Sequence, residues 1–136
     1  MTVMMAAHAR SQTRQAGVLV VDDDDHVRRL CARSLKTHGY NVMEARGGRE
    51  AIDLVAQHAG DIDVVVTDIV MPDLDGIELV LRLRASHPEL AVILMSGYAP
   101  AELLRRGALG DTLPLLRKPF VIDQLYGKVR EALGDA

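Results

Sequence analysis

Short aliphatic runs alternate along the chain with longer amphipathic stretches. Five runs predict strands, at 18–21, 40–44, 64–67, 91–95 and 114–116. Three of them are almost wholly apolar, which is typical of parallel strands covered on both faces. The intervening stretches predict helices near 26–38, 48–58, 75–87, 101–106 and 121–133. The pattern therefore predicts strand and helix in strict alternation.

Five strand–helix units in succession favour one architecture. A parallel strand needs a crossover connection, and a helix supplies it. We predict an α/β fold of the flavodoxin-like, doubly wound kind, a five-stranded parallel sheet in the order 2-1-3-4-5 with five helices. In the first helix, helical spacing predicts an apolar face made of Val27, Leu30, Cys31, Ser34 and Leu35.

Composition narrows the class of protein. With 136 residues the chain has room for one domain, which we place at 17–134 after a flexible tail at 1–16. A nucleic-acid-binding protein needs a basic stripe on its surface, and the net charge of −3 gives no support for one. We therefore expect no nucleic-acid partner. No apolar run approaches the roughly 20 residues that span a bilayer. The single cysteine favours a reducing compartment, the cytoplasm.

Four consecutive acids, Asp22 to Asp25, follow the first predicted strand. Adjacent carboxylates repel one another unless a cation lies among them, and oxygen ligands suit Mg²⁺. Aspartate also favours the N-cap and first turn of a helix, where it complements the helix dipole. The four acids alone leave the metal site and the helix cap equally open.

Other strand ends carry reactive side chains as well. Asp68 follows the third strand, Ser96 ends the fourth, and Lys118 follows the fifth. In a parallel sheet these ends meet at one edge, so the side chains should converge. A carboxylate can accept a phosphoryl group as an acyl phosphate, with a metal offsetting the charge repulsion. Lysine and hydroxyl groups can bind the phosphate oxygens, so the set indicates phosphoryl transfer.

Four ordered motifs resemble those of the receiver domain of two-component response regulators. They are VLVVDD at 18–23, VTDIVMPDLDG at 66–76, LMSG at 94–97 and RKPF at 117–120. The resemblance covers about residues 17–133, and the matching spacing of all four motifs makes it specific. It implies a single-domain or hybrid-kinase type of receiver, and the sequence leaves that choice open.

The resemblance implies a role for each matching position. Asp68 would be the phosphoacceptor. Asp23 would bind Mg²⁺ together with Asp68 and the backbone carbonyl of Val70, while Asp22 would hold a metal-bound water. Asp24 and Asp25 would be turn and cap residues outside the metal pair. Ser96 and Lys118 would bind the phosphoryl group.

The resemblance also implies partners and an output. The phosphoryl donor would be a phosphohistidine on a sensor histidine kinase or a histidine phosphotransfer protein. The chain would catalyse only its own phosphorylation and dephosphorylation, and would switch partner binding through a face made by the fourth helix, fifth strand and fifth helix. We expect a monomer, and leave dimerisation on phosphorylation open.

The sequence departs from the receiver pattern at one position. Receivers commonly carry an aromatic residue on the fifth strand, three positions before the lysine, and here that position is Leu115. Coupling of Ser96 to an aromatic side chain is therefore in question. Tyr98 is the other aromatic candidate nearby.

Two other functions are open alternatives. A pseudo-receiver that only binds proteins would usually have lost an acid or the lysine, and this chain keeps them. An aspartyl-phosphate phosphatase would need an acid two residues after its nucleophile, where this chain has Val70. The DLDG run at 73–76 resembles a phosphatase motif, but Met71-Pro72 precedes it where an apolar strand should end. That run instead predicts a turn and the N-cap of the third helix.

Overall fold

The computed structural model describes residues 15–97 and 114–134. These ranges hold five strands: β1 Gly17–Val21, β2 Asn41–Ala45, β3 Val64–Asp68, β4 Ala91–Ser96 and β5 Leu115–Arg117. They also hold four helices: α1 Asp25–Thr37, α2 Gly48–Gln57, α3 Gly76–Ser86 and α4 Ile122–Ala132. The helix predicted at 101–106 lies outside the described residues, so the helix predicted as the fifth is α4.

The strands form one sheet in the order β2-β1-β3-β4-β5, and every neighbouring pair is parallel. This confirms the predicted doubly wound fold. The predicted boundaries agree with the observed strands to within one residue at each end. The predicted tail at 1–16 lies, except for its last two residues, outside the part of the chain that the structure describes.

Alternate residues of the central strands feed two separate cores. Val18 and Val20 of β1 face the layer that contains α1 and α4. Leu19 and Val21 face the opposite layer, which contains α2 and α3. Because every residue of β1 is buried, both faces of the sheet are covered, as expected for parallel strands. The apolar runs are therefore central strands rather than buried helix segments.

The predicted apolar face of α1 is wrong at one position. Leu30 is 48% exposed, whereas Arg28 is only 3% exposed. Cys31 on the same helix is buried, as predicted, and burial raises the pKa of its thiol to about 11. The inward face of α1 thus contains a cation that helical spacing alone assigns to the surface. No helix within residues 15–97 and 114–134 has the length and hydropathy to traverse a bilayer.

Candidate functional site

The four acids after β1 have different surroundings. Asp22 is fully buried, and its backbone N–H donates to the carbonyl of Ala45 at 3.1 Å. Its Oδ1 accepts the backbone N–H of Asp24 at 3.0 Å. Asp24 in turn caps α1 by accepting from the N–H groups of His26 and Val27, at 2.9 and 3.1 Å. The cap interpretation is confirmed for Asp24, while Asp22 lies buried in the turn before it, where its carboxylate could serve a metal.

Three carboxylates form what we call the acidic pocket: Asp22, Asp23 and Asp68. Each offers one oxygen, and these oxygens all lie within 4.8 Å of one another. The three residues are buried, exposed and intermediate in that order, so the pocket is closed on the side of Asp22 and open on the side of Asp23. Hard oxygen donors at this spacing fit a divalent cation that keeps part of its water shell.

Lys118, which directly follows the edge strand β5, contacts two carboxylates of the acidic pocket. Its Nζ lies 3.2 Å from Asp22 Oδ2 and 3.4 Å from Asp68 Oδ1. Burial lowers the pKa of Lys118, but the charges of Asp22 and Asp68 outweigh that effect and the net pKa is raised. Its backbone N–H donates to the carbonyl of Ser96 at 2.8 Å, and the Lys118–Pro119 peptide is cis. The lysine is therefore a firmly charged partner of two carboxylates.

The pKa of Asp68 is raised above the ordinary carboxyl value. Its side chain is 13% exposed, and burial raises its pKa, with the charge of Asp22 adding to the effect. Lys118 and the backbone N–H of Ile69 offset part of that rise. The ionised form of Asp68 is thus held at an energetic cost, and a cation in the pocket would reduce that cost.

Ser96 and Val70 lie at the same edge of the sheet. Ser96 ends β4 and is buried, and Met95 pairs with Asp68 in the register of the sheet. Val70 follows β3 by two residues, and its side chain is exposed. The structure thus brings oxygens of Asp22, Asp23 and Asp68 within 4.8 Å of one another, and Lys118 into contact with Asp22 and Asp68. Val70 follows Asp68 by two residues in the chain, and Ser96 follows Met95, the residue paired with Asp68 across the sheet.

At the end of the loop between β3 and α3, the backbone of Gly76 packs closely against the backbone of Asp68 and Ile69. The N–H of Gly76 donates to the carbonyl of Ile69 at 2.7 Å. A Cβ on Gly76 would lie 2.9 Å from Ile69 Cα and would overlap the backbone oxygen of Asp68. Asp75 is the N-cap of α3 and accepts from the N–H of Glu78 at 2.9 Å, which confirms the predicted cap. Glycine is required here because of the close approach of the two backbones.

Asp73 has a role that the sequence did not reveal. Its carboxylate accepts from the N–H groups of Gly48, Arg49 and Leu74, at 3.3, 3.1 and 2.8 Å. It therefore caps α2, whose own N-cap residue, Gly47, has no side chain. The bond from Arg49 N–H is the main cause that lowers the pKa of Asp73. The loop after β3 is thereby fastened to a neighbouring helix.

Arg28 is the second residue that sequence reasoning missed. Its Nη1 donates to the backbone carbonyl of Asp22 at 3.1 Å. Its Nε lies 3.1 Å from Glu44 Oε1, and its Nη2 lies 2.7 Å from Asp25 Oδ1. The side-chain hydrogen bond from Arg28 is the main cause that lowers the pKa of Asp25. Helical spacing gave no signal for this burial, because it placed Leu30 on the inward face of the helix and Arg28 on the surface.

The position where receivers carry an aromatic residue is filled by aliphatic packing. Leu115 is half-buried against a cluster formed by Ile69, Val80, Val92 and Leu94. Tyr98, the other aromatic candidate, lies outside the described residues. Leu115 therefore packs on the face of the sheet that α3 covers, since Val80 of this cluster belongs to α3.

Comparison with known proteins gives a consistent family. The sequence model of the protein family named response regulator receiver domain matches residues 18–130 of this chain. The sensor kinase CckA of Brucella abortus is 41% identical over 118 residues, which are 87% of this chain and 12% of the kinase. The response regulator MprA of Mycolicibacterium vanbaalenii is 37% identical over 116 residues, which are 85% of this chain and 49% of that protein. The chain thus spans half or less of these two relatives.

Solved structures agree with the sequence comparison. The receiver domain of the hybrid histidine kinase CckA superposes with a TM-score of 0.73 at 33% identity, covering 87% of this chain and 99% of that one. The Vibrio cholerae chemotaxis protein CheY4 superposes with a TM-score of 0.78 at 27% identity, covering 87% of this chain and 98% of that one. Both similarities extend across nearly the whole of the compared domains.

Proposed function

Because the chain belongs to the response regulator receiver family, we propose that Asp68 accepts a phosphoryl group from a phosphohistidine and so switches partner binding. One observation carries the proposal: Lys118 Nζ lies within 3.4 Å of Asp68 in a pocket whose three carboxylates can hold a metal. A nucleophile, a fixed cation and metal ligands are the parts that phosphoryl transfer to a carboxylate needs.

The transfer step balances without any further reactant. An oxygen of Asp68 forms a bond to phosphorus as the P–N bond of the phosphohistidine breaks, and the electron pair returns to the imidazole nitrogen. Asp23, Asp68 and the backbone carbonyl of Val70 would hold Mg²⁺, and Asp22 would bind it through a water. The bound ion would supply positive charge between the carboxylates and the incoming phosphate.

Two residues would hold the transferred group. The ammonium of Lys118 would pair with one phosphoryl oxygen, because it already lies between Asp22 and Asp68. The hydroxyl of Ser96 would donate to a second oxygen from the end of β4. Movement of these side chains toward the phosphoryl group would bias the face that includes β5 and α4. With Leu115 in aliphatic packing, that bias would not depend on an aromatic side chain.

A protein donor fits the surroundings of the pocket. Val70 and Val121 are two of the four large apolar side chains exposed in the described residues, and both lie in loops at the edge that carries the acidic pocket. A protein donor requires a contact surface beside the charged site, and these two valines contribute to one without by themselves selecting a protein over a small anion. A sensor histidine kinase or a histidine phosphotransfer protein matches this requirement, and one relative is itself a sensor kinase.

The test is direct phosphorylation followed by intact mass. The parent protein is incubated with acetyl phosphate and Mg²⁺ beside Asp68→Asn and a matched control, Asp53→Asn, whose carboxylate lies exposed on α2. We expect one phosphoryl adduct on the parent and on the control, none on Asp68→Asn, and none when EDTA removes the metal. Transfer from a phosphorylated histidine phosphotransfer protein is then measured on the same three proteins.

Two outcomes would contradict the proposal. A parent that neither forms an adduct nor binds beryllofluoride would be a protein-binding module rather than a phosphoacceptor. An adduct that persists in Asp68→Asn would assign the acceptor role to a different carboxylate.

A further inference from the structure

Arg28 is a buried cation beside the acidic pocket to which the proposed chemistry gives no role. Its guanidinium contacts three separate parts of the fold. These contacts are the carbonyl of Asp22 in the turn after β1, Asp25 at the start of α1, and Glu44 on β2. Burying a charge is costly unless it is paired and hydrogen-bonded, so this arrangement needs all of its partners.

Only one of the three contacts reaches the pocket. The carbonyl of Asp22 belongs to the peptide unit that joins Asp22 to Asp23, so its direction sets the orientation of that peptide. The side chain of Asp22 branches from the Cα on one side of this peptide, and that of Asp23 from the Cα on the other. Both contribute oxygens to the acidic pocket. A rotation of the peptide would change the separation of the two carboxylates. The Nη1 contact at 3.1 Å opposes that rotation.

We propose that Arg28 is a positioning residue for the acidic pocket, which fixes the Asp22–Asp23 peptide and thereby sets the spacing of the carboxylates that bind Mg²⁺. The inference rests on the proposed function for the identity of the metal. It extends that function by adding a residue that touches neither the metal nor the phosphoryl group. Groups that orient metal ligands from behind typically change metal affinity by about 10–100-fold when they are altered.

The geometry separates this role from a purely structural one. The contacts with Glu44 and Asp25 join α1 to β2 and to its own first turn, and both carboxylates are partly exposed to solvent. Loss of the Glu44 contact should therefore loosen packing without moving the Asp22 carbonyl. Lysine at position 28 would keep the charge and most of the packing, but its single ammonium cannot satisfy three acceptors in the planar fork that arginine provides.

The experiment measures Mg²⁺ binding to the unphosphorylated protein by calorimetric titration, together with the thermal midpoint of each variant. The variants are Arg28→Lys, Glu44→Gln and the matched control Arg29→Lys, whose side chain is exposed on the same helix. We expect Arg28→Lys to weaken Mg²⁺ binding by at least about tenfold. Glu44→Gln should lower the thermal midpoint yet bind Mg²⁺ within about twofold of the parent, and Arg29→Lys should change neither.

Several results would overturn the inference. An Arg28→Lys protein that is folded and binds Mg²⁺ like the parent would remove the positioning role. Equal losses of affinity in Arg28→Lys and Glu44→Gln would make Arg28 a structural residue only. If Arg28→Lys does not fold, the guanidinium N–H resonance of Arg28 is followed in the parent, and a signal that does not move during Mg²⁺ titration would also reject the role.

Failure of the proposed function is distinguishable from failure of this inference. In the first case the parent itself neither binds Mg²⁺ nor takes up a phosphoryl group. In the second case the parent does both, and Arg28→Lys does both equally well.

Discussion

Lys118 Nζ lies 3.2 Å from Asp22 Oδ2, a contact that joins the ends of two strands that are not neighbours in the sheet. β3 and β4 stand between β1 and β5 in the strand order. Asp22 is fully buried, and the same ammonium also reaches Asp68. One ammonium is therefore shared by two carboxylates, so the group retains net negative charge, and the contact bridges the carboxyl ends of the strands from β1 to β5.

Replacement of Lys118 should destabilise the protein in a way that Mg²⁺ partly reverses. Lys118→Ala leaves the buried Asp22 without its cation, and we expect a loss of about 2–3 kcal/mol, moderated because the lysine is 27% exposed. Divalent metal in the acidic pocket would restore part of the loss by replacing the missing charge. Urea unfolding with and without Mg²⁺ measures both effects.

The matched control is Lys36→Ala, at an exposed position in the last turn of α1. It should change the free energy of unfolding by no more than about 0.5 kcal/mol. A Lys118→Ala protein as stable as this control would show that the buried carboxylate does not depend on the lysine.

Asp68→Asn should stabilise the metal-free protein at neutral pH. The folded pKa of Asp68 is raised, chiefly by burial, so the folded state binds the proton more tightly than the unfolded state. The free energy of unfolding therefore decreases as the pH rises from the ordinary carboxyl pKa through the raised pKa of folded Asp68. Above that raised pKa the destabilisation is complete and no longer changes with pH. Asparagine carries no such cost, so its thermal midpoint should exceed that of the parent by a few degrees in EDTA at pH 7.

That advantage should shrink as the pH falls below the ordinary carboxyl range, because Asp68 is then protonated in both states. Thermal melts at several pH values provide the measurement. A constant difference between the two proteins across the whole pH range would mean that the charge of Asp68 is not its source.

Gly76→Ala should be strongly destabilising although glycine is a poor helix former. The added Cβ would overlap the backbone oxygen of Asp68, and relief requires movement of the loop that carries Val70. We expect a loss of about 2–3 kcal/mol, together with weaker Mg²⁺ binding. Denaturant unfolding and metal titration test the two effects.

Gly127→Ala is the contrasting control. Gly127 lies inside α4, and an added Cβ there meets nothing within 4 Å. Alanine should therefore raise the free energy of unfolding by about 1 kcal/mol through helix propensity alone. Two glycine-to-alanine changes in helices of one protein thus have opposite expected signs, and equal signs would contradict the close approach at Gly76.

Asp73→Ala should cost about 0.5–1 kcal/mol, because α2 loses the carboxylate that caps it from another loop. The pKa of Asp73 is lowered, so its contribution is present above the ordinary carboxyl pKa and is lost as pH falls through the lowered value. Unfolding at pH 7 and in acid should therefore show the difference at neutral pH only. Asp53→Ala, inside α2, should cost nothing at either pH.

The fold and most of the candidate site were predictable because their signals are local. Apolar runs mark β1 and β3, and parallel topology brings Asp22, Asp68 and Lys118 to one edge whatever the details of the loops. The caps at Asp24 and Asp75 follow from their positions just before helices. The same logic explains why each strand was placed within one residue.

The missed residues act through contacts between distant parts of the chain. Asp73 caps a helix that begins 25 residues earlier, and no pattern around position 73 indicates that. Arg28 pairs with Glu44 across 16 residues. Its burial depends on three partners that only the folded sheet assembles. Helical spacing instead assigned the inward position to Leu30.

The buried thiol of Cys31 makes the protein convenient for labelling. Because the thiolate is the reactive form, a thiol with a pKa of about 11 is almost unreactive toward maleimides at neutral pH. The natural chain has one cysteine, so a second one introduced at the exposed position 121 would be modified selectively. A fluorophore placed there, three residues after Lys118, would allow the proposed metal binding, phosphorylation and partner docking to be tested without removal of the native cysteine.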